Sequence, residues 1–198
     1  MTIDSLNLYL FNILNAPEQA SPFMMHYAIF IAKDLIYLLV LIFVLLWLRG
    51  DYQVKKHILK AFIFTCITLM LSEIASAIFS TPRPFVIEAG RTLIEHAPTG
   101  SFPSNHMAIL SSIGFAYYFS NQRQVGKFLL ILAWLVAWAR IYVGVHFPID
   151  MLGAFFLAFA VNASGQSLWN KYKEQLMAWI MAVYSKLLQP LIAKGLIK

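Results

Sequence analysis

The fold class of this chain follows from residues 24–48, which read MMHYAIFIAKDLIYLLVLIFVLLWL. The only charged side chains in this apolar run are those of Lys33 and Asp34. About twenty consecutive apolar residues in an α-helix cross the hydrocarbon core of a bilayer, which is roughly 30 Å thick. The run therefore predicts a helix that spans a membrane.

Four further apolar runs lie downstream and have the composition of membrane spans. They cover residues 58–79, 106–119, 128–143 and 148–168. The chain of 198 residues is 60% hydrophobic and 12% charged, whereas a soluble domain is roughly 45–50% apolar and 25% charged. This composition excludes a disordered chain and argues against a soluble globule. We predict an all-α fold, a polytopic membrane bundle of about five transmembrane helices.

Amphipathic segments flank the predicted spans. Apolar residues recur at helical spacing between Ile3 and Leu14, and a second apolar stripe runs from Trp169 to Leu187 beside several lysines. We predict that both segments lie as helices in the membrane surface. A sixth span is the alternative for the second segment. We expect residues 1–198 to form a single membrane-embedded domain.

The net charge of +6 is interpreted as a signal of membrane orientation. Eleven of the fifteen Lys and Arg residues lie in segments that a five-span chain places on one side: Arg49, Lys55, Lys56, Lys60, Arg123, Lys127, Lys171, Lys173, Lys186, Lys194 and Lys198. Loops rich in Lys and Arg remain in the cytoplasm, so we predict that this side is cytoplasmic. No nucleic acid partner is needed to explain the charge, and none is predicted.

The opposite face is poor in charge but holds short motifs with reactive or anion-binding side chains. In the first motif, Pro82 and Pro84 stiffen the backbone around Arg83, whose planar guanidinium matches the oxygens of a phosphate. In the second, Ser104 stands where it would cap a helix, and helix N-termini attract anions. His106 follows and is able to transfer protons near neutral pH.

The third motif has the form Arg-x5-His-x3-Asp and consists of Arg140, His146 and Asp150. Asp150 follows His146 by about one helical turn, so its carboxylate is placed to hold one ring nitrogen while the other attacks. Each motif alone is also compatible with a snorkelling arginine, an ordinary helix cap or a surface histidine. Together they supply the cations, histidines and carboxylate that phosphoryl transfer needs.

The three motifs resemble the signature of the type 2 phosphatidic acid phosphatase superfamily. Residues 83–84, 103–106 and 140–150 match that signature in order and in internal spacing. Residues 30–34, 83–86 and 101–104 further resemble the branch of bacterial undecaprenyl-diphosphate phosphatases. The resemblance implies a multi-pass protein of the bacterial cytoplasmic membrane, with its active site facing the periplasm or exterior.

The resemblance also implies a two-step hydrolysis of undecaprenyl diphosphate. His146 would form a phosphohistidine, Asp150 would orient it, and His106 would protonate the leaving oxygen and then activate water. The phosphoryl group would be bound by Arg83, Arg140, Ser104 and Asn105. No metal and no cofactor are expected, and the partners would be the lipid substrate and membrane lipids. The sequence carries no signal for oligomeric state.

One departure from the family pattern concerns a lysine. The superfamily has lysine seven residues before its first arginine, where this chain has Ser76. A charged residue inside a span usually faces a polar interior, so we hypothesise that Lys33 binds substrate in place of the missing lysine. The alternative is a structural ion pair of Lys33 with Asp34 or Glu73.

Rival functions are compatible with parts of the same sequence. Phosphatidylglycerol phosphate, phosphatidic acid or the lipid A phosphates suit the motifs as substrates, and so does a phosphotransferase with a lipid acceptor. A transporter that uses Lys33, Asp34 and Glu73 as an ion path is the alternative from another class. It leaves both histidine motifs unexplained.

Overall fold

The computed structural model describes residues 2–198, which form helices joined by turns and one long loop. The α-helices are α1 (Ile3–Leu14), α2 (Pro22–Ile29), α3 (Leu35–Arg49), α4 (Tyr52–Phe79), α5 (Asn105–Tyr118), α6 (Arg123–Tyr142) and α7 (Pro148–Ala193). A π-helical turn, Phe30–Asp34, joins α2 to α3, and a 3-10 turn, Pro84–Ile87, lies in the long loop. No strand occurs in the described residues, so the predicted all-α class is confirmed.

Four helical segments are long and apolar enough to cross a membrane, and they begin at Pro22, Tyr52, Arg123 and Pro148. The remaining predicted span, α5, has only 14 residues and packs against α4, α6 and α7. Its residue Met107 is fully buried. The predicted bundle is therefore present, and its third predicted span, α5, is a short helix that is enclosed by α4, α6 and α7.

The outer surface of the bundle is apolar. Ile78, Ile131 and Phe156 are among its large side chains, and each is exposed. A continuous surface of this kind is unfavourable in water and is solvated by the hydrocarbon core of a bilayer. The chain is an integral membrane protein.

The largest difference from the sequence-based prediction concerns α7. The helix continues without a break from Pro148 to Ala193, so the stripe at residues 169–187 is not a separate surface helix. No proline interrupts it before Pro190, and a fall in hydropathy does not by itself break backbone hydrogen bonds. The second half of α7 packs on the start of α4, where Tyr52 donates to Glu174 at 2.7 Å.

The bundle has two dissimilar ends. At the motif end, the α4–α5 loop meets the α6–α7 turn, and the N–H of Leu93 donates to the carbonyl of Val143 at 3.0 Å. At the basic end, the α3–α4 and α5–α6 turns approach the second half of α7, and Lys60 donates to the carbonyl of Phe119 at 3.2 Å. The chemical motifs lie at the first end and the predicted basic segments at the second.

Candidate active site

A buried histidine–carboxylate pair lies at the centre of the motif end. His146 is in the turn between α6 and α7, and Asp150 is in the first turn of α7. Their exposed fractions are 2% and 1%, and Nδ1 of His146 lies 3.2 Å from Oδ2 of Asp150. Gly144 makes the turn with φ of +82°, and a β-carbon there would collide with the carbonyl of Arg91, so the position requires glycine.

The Asp150 carboxylate is held by two further donors. Its Oδ2 accepts the N–H of Phe147 at 2.8 Å and the hydroxyl of Ser101 at 2.5 Å. With these donors holding it in place, Oδ2 accepts Nδ1–H of His146, so the lone pair of the ring lies on Nε2. Ser101 was missed by the sequence analysis because an isolated serine in a long loop has no diagnostic spacing.

Arg83 faces the free nitrogen of His146. Its Nη1 donates to the Val145 carbonyl at 2.9 Å and lies 3.1 Å from Nε2 of His146. Burial, together with the positive charges of Arg140 and Arg83, lowers the pKa of His146 to about 4, although Asp150 opposes the shift. At neutral pH the imidazole is therefore neutral, which is its nucleophilic form.

Arg140, near the end of α6, has buried donors without a partner. It is 3% exposed, and its Nη1 donates to the carbonyl of Ala32 at 3.2 Å. Its Nε and Nη2 find no acceptor among residues 2–198. Ala32 belongs to the π-helical turn, a feature that is frequent at functional sites. An unpaired buried guanidinium is costly, and a bound anion removes that cost.

Ser104 contributes a second unsatisfied polar atom. It occupies the N-cap of α5 as predicted, but its buried Oγ makes no capping bond and has no partner in the described chain. Its N–H donates to the carbonyl of Asp150 at 3.2 Å, which fastens the start of α5 to α7. The first amides of α5 add partial positive charge. This end of the molecule thus offers the donors that an oxyanion needs.

Two further histidines, His106 and His96, lie beside these candidate active-site residues. His106, in the first turn of α5, is half-buried within electrostatic range of Arg140 and His146. His96, in the long loop, has its ring centre 6.3 Å from that of His146. Burial lowers the pKa of His96, and the charges of Arg83 and Arg140 contribute. The predicted residues that the fold brings together are His146, Asp150, Arg83, Arg140, Ser104 and His106.

Asn15 anchors the loop that carries His96. Its Oδ1 accepts the N–H of Arg91 at 2.6 Å, and its Nδ2 donates to the carbonyl of Tyr142 at 3.0 Å. The residue thereby ties the end of α1 to the long loop and to α6. One asparagine after a short helix gave no signal of this role in the sequence.

Comparison with known proteins agrees with this geometry. The family model of the PAP2 superfamily matches residues 57–172, a stretch that contains all three motifs. The chain belongs to the PAP2 superfamily. This finding confirms the predicted resemblance.

Other PAP2-related proteins resemble the chain over most of its length. YbjG of Escherichia coli (strain K12) is 34% identical over 187 residues, which are 92% of this chain and 94% of that protein. Undecaprenyl-diphosphatase BcrC of Bacillus subtilis (strain 168) is 37% identical over 134 residues, 68% of this chain and 69% of BcrC. The family and these relatives support a lipid phosphate phosphatase.

A solved PAP2 structure shows the same fold. The transmembrane PAP2 type phosphatidylglycerolphosphate phosphatase from Bacillus subtilis aligns with a TM-score of 0.63 and 18% identity. The alignment covers 85% of this chain and 87% of that one. The predicted membrane bundle is therefore an architecture that other PAP2 proteins share.

Asn105 connects two helices of the PAP2 bundle. Its Oδ1 accepts the hydroxyl of Ser72 at 2.7 Å, and its Nδ2 donates to Oε1 of Glu73, also at 2.7 Å. Both polar ends of the amide are thus engaged by α4. The structure gives Asn105 a bracing position, and its predicted contact with substrate stays a prediction.

Lys33 follows Ala32, whose carbonyl accepts from Arg140. Its side chain is exposed on the π-helical turn, and it forms no ion pair in the part of the chain that the structure describes. The alternative prediction of a structural pair with Asp34 or Glu73 is therefore wrong. Ser76, where the resemblance leads one to expect a lysine, packs beneath Gly100, where a β-carbon would collide with its Oγ. A small side chain thus supports the loop that binds Arg83.

Proposed function

We propose that this PAP2 protein hydrolyses the terminal phosphate of undecaprenyl diphosphate through a phosphohistidine on His146. One observation carries the proposal: buried donors of Arg140 and the buried hydroxyl of Ser104 have no partner in the described chain. Unpaired buried polar groups are rare, and a phosphoryl group supplies the oxygens that these two lack. The name of the BcrC relative supports a lipid diphosphate as the substrate.

In the first step, Nε2 of His146 attacks the terminal phosphorus. Arg83 Nη1, 3.1 Å from this nitrogen, transfers its hydrogen bond to a phosphoryl oxygen as the phosphorus–nitrogen bond forms. The bond from phosphorus to the bridging oxygen breaks on the opposite side, and undecaprenyl phosphate leaves. Asp150 stabilises the charge that develops on the ring, while Arg140 and Ser104 bind the remaining oxygens.

His106 moves the protons in both steps. It first donates a proton to the bridging oxygen of the leaving lipid phosphate. The negative charge of the bound diphosphate favours the protonated form of His106 that this step requires. In the second step His106 accepts a proton from the water that attacks the phosphohistidine, and phosphate is released with His146 restored.

We further propose that the reaction needs no metal ion, because Arg83 and Arg140 carry the positive charge that a divalent cation supplies in many phosphoryl transfers. A lipid acceptor in place of water would convert the same intermediate to phosphotransferase chemistry. The site is proposed to face the periplasm or exterior, since the basic end has the composition of a cytoplasmic side. All 198 residues are proposed to act as one membrane-embedded unit.

The test is phosphate release by the purified protein in detergent, with undecaprenyl diphosphate as substrate and EDTA present. His146→Ala is expected to release none. The matched control is His26→Ala, because His26 is exposed and its Nδ1 lies 2.7 Å from the carbonyl of Pro22 in its own helix. Substantial release by H146A would contradict the nucleophile assignment. Loss of wild-type activity in EDTA would contradict metal independence, and faster turnover of phosphatidic acid would reassign the substrate.

The orientation is tested by labelling intact cells with a membrane-impermeant maleimide. Two variants in a Cys66→Ala background are compared, Thr92→Cys at the motif end and Gln122→Cys at the basic end, and both positions are exposed. We expect T92C to be labelled and Q122C to be labelled only after the cells are opened. The reverse pattern would place the site in the cytoplasm.

A further inference from the structure

The basic end contains a cleft that the proposed hydrolysis does not use. It encloses about 410 Å³ between the first half of α4, the α5–α6 turn and the middle of α7. Its polar and aromatic lining includes Lys56, His57, Lys60, Gln166, Trp169 and Lys173. It therefore lies at the end of the bundle opposite His146.

Lys60 is a deeply buried cation in this cleft. It is 2% exposed, and its Nζ donates to Oε1 of Gln166 at 2.8 Å and to the carbonyl of Phe119 at 3.2 Å. Both acceptors are neutral, and no carboxylate among residues 2–198 lies within ion-pair distance of this Nζ. A buried ammonium without a counter-ion is costly, so an anion in the cleft would stabilise it.

The neighbouring side chains add to the positive charge of the cleft. Lys56 is paired with Glu174 at 3.1 Å, whereas the half-buried Lys173 has no ion-pair partner in the described chain. Lys60 and Lys173 therefore leave two uncompensated charges. The ring of His57 is oriented by Asn121, whose Oδ1 lies 2.8 Å from Nε2.

We propose that this cleft binds a phosphate group, carried either by an anionic membrane lipid or by a soluble phosphate ester. Phosphate oxygens accept charge-assisted hydrogen bonds from lysine ammonium groups, and Lys60 and Lys173 supply them. Trp169 lines the cleft, and tryptophan is enriched at the level of lipid headgroups. The site shares no residue with the proposed catalytic group, so it stands independently of the reaction at His146.

The test compares Lys173→Met with Lys171→Met in the full-length protein in detergent. Lys171 is an exposed residue of the same helix outside the cleft lining, and its Nζ lies 5.1 Å from the ring centre of Tyr172. Binding of phosphatidylglycerol is measured by native mass spectrometry, with phosphatidylcholine as the zwitterionic reference. K173M should bind phosphatidylglycerol about fivefold more weakly, the factor that corresponds to about 1 kcal/mol for one lysine. K171M should bind it as the wild type does.

Competition with glycerol 3-phosphate distinguishes the two sources of phosphate. Displacement of the lipid by this ester assigns the cleft to soluble phosphate compounds, and retention of the lipid assigns it to membrane lipid; both results support the site. Equal affinities of K173M and K171M for phosphatidylglycerol and for glycerol 3-phosphate would overturn the proposal. Lys60→Gln removes the buried charge and gives a second test, in which wild-type binding would also overturn it.

Discussion

Replacing either arginine of the candidate active site by methionine should abolish phosphate release, but the two variants should differ in stability. Every nitrogen of the Arg83 guanidinium has a hydrogen-bond partner. Arg140 makes one bond, to the Ala32 carbonyl, and leaves Nε and Nη2 unpaired. Arg83 therefore also stabilises the fold, whereas Arg140 has free donors that can bind an anion.

The magnitudes follow from these bonds. A hydrogen bond to a charged group contributes about 1.5–3 kcal/mol, and an unpaired buried polar group costs about 1–3 kcal/mol. Arg83→Met loses several bonds and leaves three carbonyls without these donors, so the free energy of unfolding should fall by about 3 kcal/mol or more. Arg140→Met loses one bond but removes two unpaired nitrogen atoms and the repulsion with Arg83. Its free energy of unfolding should stay unchanged or rise by up to about 2 kcal/mol.

The assay is thermal unfolding in detergent, with phosphate release measured on the same preparations. Lys127→Met, at an exposed position of α6, is the control for loss of a positive charge. Added inorganic phosphate should raise the melting temperature of the wild type, because it pairs the free donors, and should not raise that of R140M. If R140M melts as far below the wild type as R83M does, the Arg140 donors are satisfied without an anion and the reasoning is refuted.

Four further predictions concern the same proposed reaction. Because burial holds the pKa of His146 at about 4, the acid limb of kcat/KM should lie near pH 4, where the ring becomes protonated. Asp150→Asn removes the carboxylate that favours the protonated ring, so the acid limb should move to still lower pH while the rate falls on the order of 10⁴-fold. Ser101→Ala should lower kcat about tenfold with KM unchanged, since it removes one hydrogen bond that holds Asp150. The control is Ser80→Ala, which should show no change, because the Ser80 hydroxyl is exposed and bonds to its own helix. Equal effects of the two substitutions would argue against a positioning role for Ser101. Lys33→Met should raise KM for the diphosphate roughly fivefold and leave kcat intact, and full affinity in this variant would contradict substrate binding by Lys33.

The core of the candidate site could be predicted because its spacing is local. A histidine four residues before an aspartate at a helix start must meet it on one face, and the structure places His146 and Asp150 in this way. Arg83 and Ser104 could be added to this pair because the predicted membrane spans place their loop at the same end of the bundle. Helix periodicity and topology were sufficient for these residues.

Contacts made by single residues in irregular backbone were beyond prediction. Ser101 and Asn15 act through particular hydrogen bonds in loops, and no period or spacing marks such bonds in a sequence. The π-helical turn that brings the Ala32 carbonyl to Arg140 depends on packing between helices. The end of α7 was misplaced for another reason. Hydropathy indicates whether a helix is surrounded by lipid or water, whereas the end of a helix is set by residues such as proline and glycine.

The unbroken course of α7 sets the distance along the helix axis between Asp150 and the basic end. Trp169 is nineteen helical steps after Asp150, which is about 28 Å along the helix axis at 1.5 Å per residue. This length is close to the hydrocarbon thickness of roughly 30 Å, so Asp150 and Trp169 are spaced to lie near opposite faces of a bilayer. A thinner or thicker bilayer must be met by tilting of the helix or deformation of the lipid. We therefore expect membrane thickness to affect how the headgroup of the proposed lipid substrate reaches His146.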